Sequence, residues 1–504
     1  MAKYSAKRSM DIHISEICSH LPVRDVFMSL AEFAAQENVQ LYLVGGTVRD
    51  LILGKEVDDL DFAVAGNASD LARKFADATD ASFVPLDEER DTVRVVFSRG
   101  RFQNCPCMDF SRIHGASITE DLAARDFTIN AMAIDLSQIV SISTHEVQVI
   151  DPWGGAGDLD RGLIRLVSAQ SINDDPIRML RAYRFAATLG FTVQDETSAI
   201  IQNSLDLLST VSAERIRDEL FKTLTADNST DYLKAMDAIG LLERIFPEIA
   251  RTRGMEQNEY HHLDVWGHSM LTLEFFEQDP IPDSLENYFA ETEDYLNYEP
   301  VKGRSRRSLL KLAAMLHDVG KPATRTMDIN GRIRFFDHNL EGAEIVGKIG
   351  NRLRMATREV SFLRETVKDH MYPLGLIVFL RKPKAAKEKN RTIRRFIQRT
   401  GSEWLAILLL SYADLRATQG PWRKPDDLEK LDQLIGDTTD IYLQQARSPM
   451  PRLVDGRDLM EEFGLPASPL IGKLLKQVRE AQMDGKIKTR DDAIDMVKNI
   501  LSKR

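Results

Sequence analysis

Apolar positions recur at mixed three- and four-residue spacings over residues 12–38, up to Glu37 and Asn38, which predicts a mostly helical segment. The pattern then changes to a strand-sized apolar run, VQLYLV at 39–44, which meets Gly45-Gly46 and the amphipathic stretch TVRDLILG. Strand, glycine turn and helix are expected in that order. Residues 58–66, DDLDFAVAG, alternate acidic and apolar side chains and predict a second strand with one acidic face. Further strands are expected at 93–98 and 106–110, so roughly the first 150 residues read as α/β or α+β. From Asp174 onward, DDPIRMLRAYRFAATLGF and SAERIRDELFKTL carry apolar residues at helical period, and everything after about residue 165 reads as helical. Residues 277–299 are acidic, with Pro and Asn, and run into basic KGRSRR at 302–307; an exposed insertion is expected there. No period of 20–50 residues repeats, which argues against a solenoid.

Length and charge narrow the classes. At 504 residues the chain is long enough for about three domains. The balance of 66 Lys and Arg against 77 Asp and Glu gives −11, which excludes a surface that is basic throughout but leaves room for a local basic face. Such a cluster is RKPKAAKEKNRTIRRFIQR at 381–399, which reads either as an RNA-phosphate contact or as a solvated helix face. Three cysteines, Cys18, Cys105 and Cys107, are too few for a disulfide framework and lack the second ligand pair of a zinc site, so reduced thiols and a cytoplasmic location are expected. No signal-peptide pattern and no apolar window of 18 residues is present, and no membrane association is expected.

The segment LYLVGGTVRDLILGKEVDDLDFAV at 41–64 carries the chemistry. Side chains at i and i+2 of a strand share a face, so Asp59 and Asp61 point the same way. Two parallel carboxylates call for a cation between them, and Mg²⁺ suits one or two carboxylates plus water and phosphate oxygens. Gly45 and Gly46 free backbone N–H groups for an anion, and Arg49 adds a bidentate phosphate partner. A lone DxD is more often a solvated strand edge; with the glycine turn upstream the pattern is far more specific. Farther on, INDDPIRMLRAYRFA at 172–186 predicts a helix beginning around residue 175, with Pro176 in its first turn. Asp175 and Arg178 lie three apart and are expected to brace one another, one accepting and one donating, as a pattern for a base edge. Arg181 and Arg184 follow at steps of three and can reach phosphates.

These motifs together resemble the class II family of tRNA CCA-adding enzymes and bacterial poly(A) polymerases. EDLAARDFTINAMAID at 120–135 is similar to the family's RRDFTINA segment, with Ala124 where the first arginine often stands, and DPWGGAGDLDRGLIRLV at 151–167 resembles the turn that closes its head, a structural role. VSAERIRDELFKTL at 211–224 resembles its neck motif, with Glu214 and Arg215 mainly structural, and residues 451–486 its C-terminal stretch. The resemblance implies that Asp59 and Asp61 hold the catalytic metals, with Asp109 of CMDFSRIHG as a third carboxylate or a buried or capping Asp. It implies nucleotide contacts from Gly45, Gly46, Arg49, Arg125, Asp175, Arg178, Arg181 and Arg184. His268, His317-Asp318, His338, His370 and Asp414 resemble the ligands of an HD phosphohydrolase domain, which bind one or two divalent metals; here they imply either a second metal site or an HD fold kept as body.

The expected architecture is α+β: a polymerase β-like nucleotidyltransferase head with a small sheet (1–165), an all-α neck (166–235), an HD-type helical domain (236–445) and a helical tail (446–504). The implied function is Mg²⁺-dependent addition of CMP and AMP from CTP and ATP to the 3′ end of tRNA, with no protein partner predicted. The alternatives are a poly(A) polymerase, a partial CC- or A-adding enzyme, and a phosphohydrolase working at the HD site. Residues 83–96, FVPLDEERDTVRVV, fall where the family carries a flexible loop that governs the switch from C to A.

Overall fold

The computed structural model describes residues 11–12, 24–55, 57, 59–98, 102, 105, 107–140, 147–381, 386–447, 451–483 and 485–502. They form two compact units, Met1–Phe246 and Pro247–Arg504.

In the first unit the described strands are β1 (Asp11–Ile12), β2 (Gln40–Val44), β3 (Asp59–Ala65), β4 (Ser82–Asp87), β5 (Thr92–Val96), β6 (Cys107–Arg112), β7 (Ala133–Asp135) and β8 (Val147–Ile150). They make one sheet in the order β1-β8-β7-β2-β3-β6-β5-β4, with β3 and β6 parallel and the other pairs antiparallel. The period of two sorts β3: Leu60, Phe62 and Val64 are buried, and Phe62 stacks on Phe110 of β6 with centroids 5.2 Å apart. Helix α1 (Arg24–Gln36) covers that face through Val26, Phe27 and Leu30, with the Phe27 ring edge-on to Phe62. Asp59 and Asp61 are left on the other face.

The expected helix over 12–38 is corrected at its start, since Ile12 lies in β1; residues 13–23, with Cys18, lie outside the described residues. Neither Cys105 nor Cys107 forms a disulfide with a described residue. Residues 83–96 are no loop: β4 and β5 pair as a hairpin at the sheet edge, their β-branched and aromatic residues overriding the acidic turn between them. Helix α2 (Gly46–Ile52) follows β2 directly, and α3 (Ile118–Ala123) follows β6. Helix α4 (Gly155–Arg161) packs on the turn Thr128–Asn130 so closely that a Cβ on Gly155 would sit 2.1 Å from the Thr128 carbonyl oxygen. Buried Asp158 fixes this joint, accepting from the Thr128 hydroxyl (2.6 Å), Arg161 (2.6 Å) and Arg165 (2.8 Å).

Beyond residue 165 the unit is mainly helical, with α5 (Arg178–Leu189) packed against α6 (Ala213–Thr225). The all-helical expectation is corrected twice. Strand β9 (Leu163–Ile164) pairs in parallel with β10 (Thr192–Val193), and in the second unit β11 (Arg325–Met327) and β12 (Ile333–Phe335) form a hairpin.

The second unit is built on α7 (Val265–Gln278), α8 (Phe289–Asn297), α9 (Arg306–Leu316), α10 (His338–Arg352), α11 (Thr357–Asp369), α12 (Ala386–Thr400) and α13 (Trp404–Ala417). Helix α13, WLAILLLSYADLRA, is buried along most of its length, and α7, α9 and α11 pack on it. The exposed insertion expected at 277–299 is corrected: Leu285, Thr292 and Leu296 are buried and dock this segment, and the Glu277 carboxylate turns in to pair with buried Lys311 (2.6 Å), while Asp283, Glu286, Glu291 and Asp294 face outward. The apolar positions there are too sparse to stand out from the acidic run. In the basic cluster, Arg381 pairs with Asp426 and Asp427, Lys389 with Asp437 and Arg399 with Asp369, while Ile393 and Phe396 are buried; residues 382–385 lie outside the described ones. Helices α14 (Gly456–Phe463), α15 (Pro469–Met483) and α16 (Arg490–Leu501) share a core of their own around Leu459, Leu474 and Val497. Among the described residues no helix is long and apolar enough to cross a membrane.

Candidate functional site

In the head, strand register sets the geometry. Asp61 on β3 lies opposite Asp109 on β6, which lies opposite Arg94 on β5, so the three form one row across the sheet. The Thr47 hydroxyl of α2 ties the row to the glycine turn, accepting from the Asp61 N–H (2.9 Å) and donating to the Asp59 carbonyl (3.2 Å). Gly45 has φ of +68°, and a Cβ there would meet Nη1 of Arg125 at 2.7 Å. Only glycine suits that backbone and that approach.

A cleft of about 480 Å³ opens at the turn, with Gly45, Gly46, Arg49, Asp61, Arg125, Asp126, Arg178 and Arg181 on its walls. Its arginines are held in place before any anion arrives. Arg49 donates to Asp50 (2.9 and 2.7 Å) and Asn130 (2.8 Å), Arg125 to Asp121 (3.1 and 3.0 Å), and Arg181 to buried Asp126 (2.9 and 2.7 Å). Burial and the neighbouring carboxylates Asp109 and Asp59 push the Asp61 carboxyl up to about 6, against the pull of Arg125 and Arg49. A hard cation between Asp59 and Asp61 would relieve that crowding, so the carboxylates present fit Mg²⁺. Asp109 has both oxygens engaged by Arg94 (2.7 and 2.8 Å).

The second nucleotide motif is arranged differently from expectation. The helix begins at Arg178, because Asp175 is extended and ends a short helix, Gln170–Asp174. Asp175 and Arg178 do not brace one another: Asp175 accepts from Arg215 of α6 (3.0 and 2.7 Å), and Arg178 donates to the carbonyls of Ala124 (2.9 Å), Ser171 (3.2 Å) and Arg125 (3.4 Å). Arg184 does not line the cleft; it donates to Glu219 (2.9 Å) and lies over the Phe185 ring, 3.5 Å from its centroid. Asp121, Asp126, Asn130 and Phe185 escaped the sequence reading, although Asp126 and Asn130 stand beside Arg125 in RDFTIN. The Phe185 ring also takes Arg49 and Arg181, each 5.2 Å from its centroid.

In the second unit, all six expected HD residues converge from helix ends. His268 comes from α7, His317 and Asp318 from the end of α9, His338 from the start of α10, His370 from the end of α11 and Asp414 from α13. The His268–His317–Asp318, His317–His370–Asp414 and Asp318–His338–His370 triads each place their ligand atoms within 4.8 Å of one another. His317, His338 and His370 each turn Nδ1 to a carbonyl, of Ala314 (2.9 Å), Phe335 (2.8 Å) and Val367 (2.6 Å). A carbonyl only accepts, so Nδ1 carries the proton and the Nε2 lone pair points inward. Burial drives His370 down to about 3 and His268 below the ordinary imidazole value. Burial opposes ionisation of Asp318 and Asp414 as well, yet His317 and the Lys321 ammonium hold Asp318, and His268 and His317 hold Asp414, below the usual carboxylate range. Against the pull of burial, Asp318 and Asp414 raise His317 above the ordinary imidazole value, and four imidazoles converging on two carboxylates make a donor set that fits a divalent metal. The sequence reading missed Lys321 of the same HDVGKP motif, 2.5 Å from Asp318, and His261, whose ring lies 4.5 Å from that of His268. A cavity of about 350 Å³ adjoins the cluster, lined also by Tyr260, Arg334, Phe336 and Met371.

Comparison with known proteins sets these sites in context. The family described as "Poly A polymerase head domain" matches residues 41–165, "Probable RNA and SrmB- binding site of polymerase A" 190–252, "HD domain" 286–394 and "tRNA nucleotidyltransferase domain 2 putative" 443–497. The chain is 31% identical to the "A-adding tRNA nucleotidyltransferase" of Deinococcus radiodurans, over 90% of this chain and 93% of that protein. It is 32% identical to the "CC-adding tRNA nucleotidyltransferase" of Geobacter sulfurreducens, over 92% and 93%. The fold matches that of a Thermotoga maritima CCA-adding enzyme solved in complex with tRNA, at a TM-score of 0.62 and 22% identity, covering 98% of this chain and all of that one.

Proposed function

The chain belongs to the tRNA nucleotidyltransferase family and is a nucleotidyltransferase, and from that premise we propose that its head adds CMP or AMP, drawn from CTP or ATP, to the 3′ end of tRNA in the cytoplasm. The observation that carries this reading is the cleft in which Asp61 faces Arg49, Arg125 and Arg181 beside the Gly45 turn. Arg49, Arg125 and Arg181 neutralise the triphosphate, held for that task by Asp50, Asp121 and Asp126, while the open backbone at Gly45 and Gly46 lets the phosphates approach. Asp59 and Asp61 would hold Mg²⁺, whose charge would lower the pKa of the RNA 3′-hydroxyl and stabilise departing pyrophosphate. Arg178 also lines the cleft and is the candidate contact for the base.

The test supplies each nucleotide separately to tRNAs ending before the first C and after CC, and to a poly(A) primer, and reads product lengths on a gel. Extension of tRNA by one to three residues is expected; long homopolymer on the primer would support a poly(A) polymerase instead. The relatives are named for adding A in one case and CC in another, so the nucleotide-by-nucleotide design separates A, CC and CCA addition. Asp59→Ala and Asp61→Ala each abolish incorporation, and activity surviving in both would overturn the metal assignment.

A second reading attaches to the HD cluster, because its Nε2 lone pairs converge with Asp318 and Asp414. A divalent metal held by His268, His317, Asp318, His338, His370 and Asp414 would make this unit a phosphohydrolase. Phosphate release from nucleotides or 2′,3′-cyclic phosphates, lost in His317→Ala and intact in Asp59→Ala, supports it.

A further inference from the structure

We propose that Arg94 binds the terminal phosphodiester of the RNA acceptor, on the side of the head carboxylates away from the triphosphate cleft. The proposal rests on the nucleotidyl-transfer reading of the head and adds to it the acceptor's position.

In-line displacement places the attacking and leaving oxygens on opposite sides of the phosphorus. The arginines that can receive a triphosphate, Arg49, Arg125 and Arg181, all line the cleft on the β2 and α2 side of Asp61. Asp59, Asp109 and Arg94 do not line that cleft. Strand order carries them the other way, from β3 through β6 to β5. The hydroxyl must therefore arrive from the β6 and β5 side, and the strand register brings Arg94 there, in the same row as Asp61.

Arg94 is built to hold an anion at that place. Nε and Nη2 grip the two oxygens of Asp109 at 2.7 and 2.8 Å, which fixes the plane of the guanidinium. Nη2 stands 3.7 Å from Asp59, one of the two carboxylates at the reaction centre. Nη1 makes no hydrogen bond among the described residues, and the side chain is 33% exposed. The guanidinium thus shows one fixed, charged edge to solvent beside the carboxylates. Its neighbour across the β4–β5 pair is Val84, 41% exposed, an apolar shelf on the same face against which a ribose or base can lie. A guanidinium needed only as a strut for Asp109 would require neither an outward edge nor an exposed apolar neighbour.

The test uses the full chain, a tRNA transcript lacking its 3′ addition, and CTP and ATP. Arg94→Gln should raise KM for the tRNA about ten-fold, the size of one lost charge-assisted contact, with KM for nucleotide within about two-fold. The salt dependence of tRNA binding, measured without nucleotide, should flatten by roughly 0.7 in log–log slope, the value for one phosphate on a single strand. Arg94→Lys should recover most of the affinity, and Val84→Asp, at an exposed position, should weaken tRNA binding in the same sense. If KM for nucleotide rises while KM for tRNA stays put, or if kcat alone falls, the proposal is overturned: Arg94 then serves the triphosphate or only Asp109. Wild-type protein that extends no tRNA would overturn the underlying reading itself, an outcome separate from either.

Discussion

Gly45 occupies a position where backbone and ligand site make the same demand. Its φ of +68° is uncomfortable for a side chain, and a methyl group would push on Arg125 at 2.7 Å. Gly45→Ala should leave the far-ultraviolet spectrum unchanged and lower kcat/KM for nucleotide by about ten-fold or more. Asp61 carries a different burden. Its carboxyl is pushed up to about 6 by burial and by Asp109 and Asp59, so ionising it costs the folded state increasingly as pH rises from the unfolded value near 4 through 6. Metal-free Asp61→Asn should therefore have a higher unfolding midpoint than wild type at pH 8, and the two should converge near pH 3. Equal midpoints at pH 8 would contradict that account of the crowding.

At the scale of elements, local periodicity was enough to find β2, α2 and β3, because each is strongly patterned and Gly45 marks the joint. The HD cluster was equally legible as a set of residues, since a His-Asp pair within LAAMLHDVGKP is unusual in itself and the structure brings the six side chains together. What sequence spacing did not supply was the partner of a charged side chain. Asp175 and Arg178, three apart, were natural companions on paper, yet the backbone is extended at Asp175 and hands it to Arg215 on α6. Helical periodicity likewise could not separate Arg181, on the cleft, from Arg184, bound to Glu219 three residues farther round. The Asp175–Arg215 pair makes its own prediction. Arg215→Ala should leave Asp175 unrestrained and alter the ratio of CTP to ATP incorporation several-fold with little change in Tm, since such exposed pairs contribute only about 0–1 kcal/mol. The tail offers a stability test, because α14, α15 and α16 close their own core: Leu459→Ala should destabilise it by about 3 kcal/mol, read as an earlier calorimetric transition.

For the molecule as a whole, two centres of unlike chemistry share one chain. Carboxylates prepare the head for a hard cation, whereas four imidazoles favour a transition metal in the HD unit. Mn²⁺ should accordingly raise Tm by a few degrees through linkage, EDTA should reverse it, and the His317→Ala, Asp318→Ala double variant should lose the rise while still extending tRNA with Mg²⁺. The net charge of −11 is consistent with an RNA enzyme that meets its substrate at chosen arginines rather than across a basic surface. The joint between α4 and the Thr128 turn bears on how such a chain can vary. At Gly155 the Thr128 oxygen stands where any side chain would begin, so a saturation library screened for folded protein should return only glycine there. Two residues on, Gly157 has nothing within 4 Å, and the same library should return a broad alphabet.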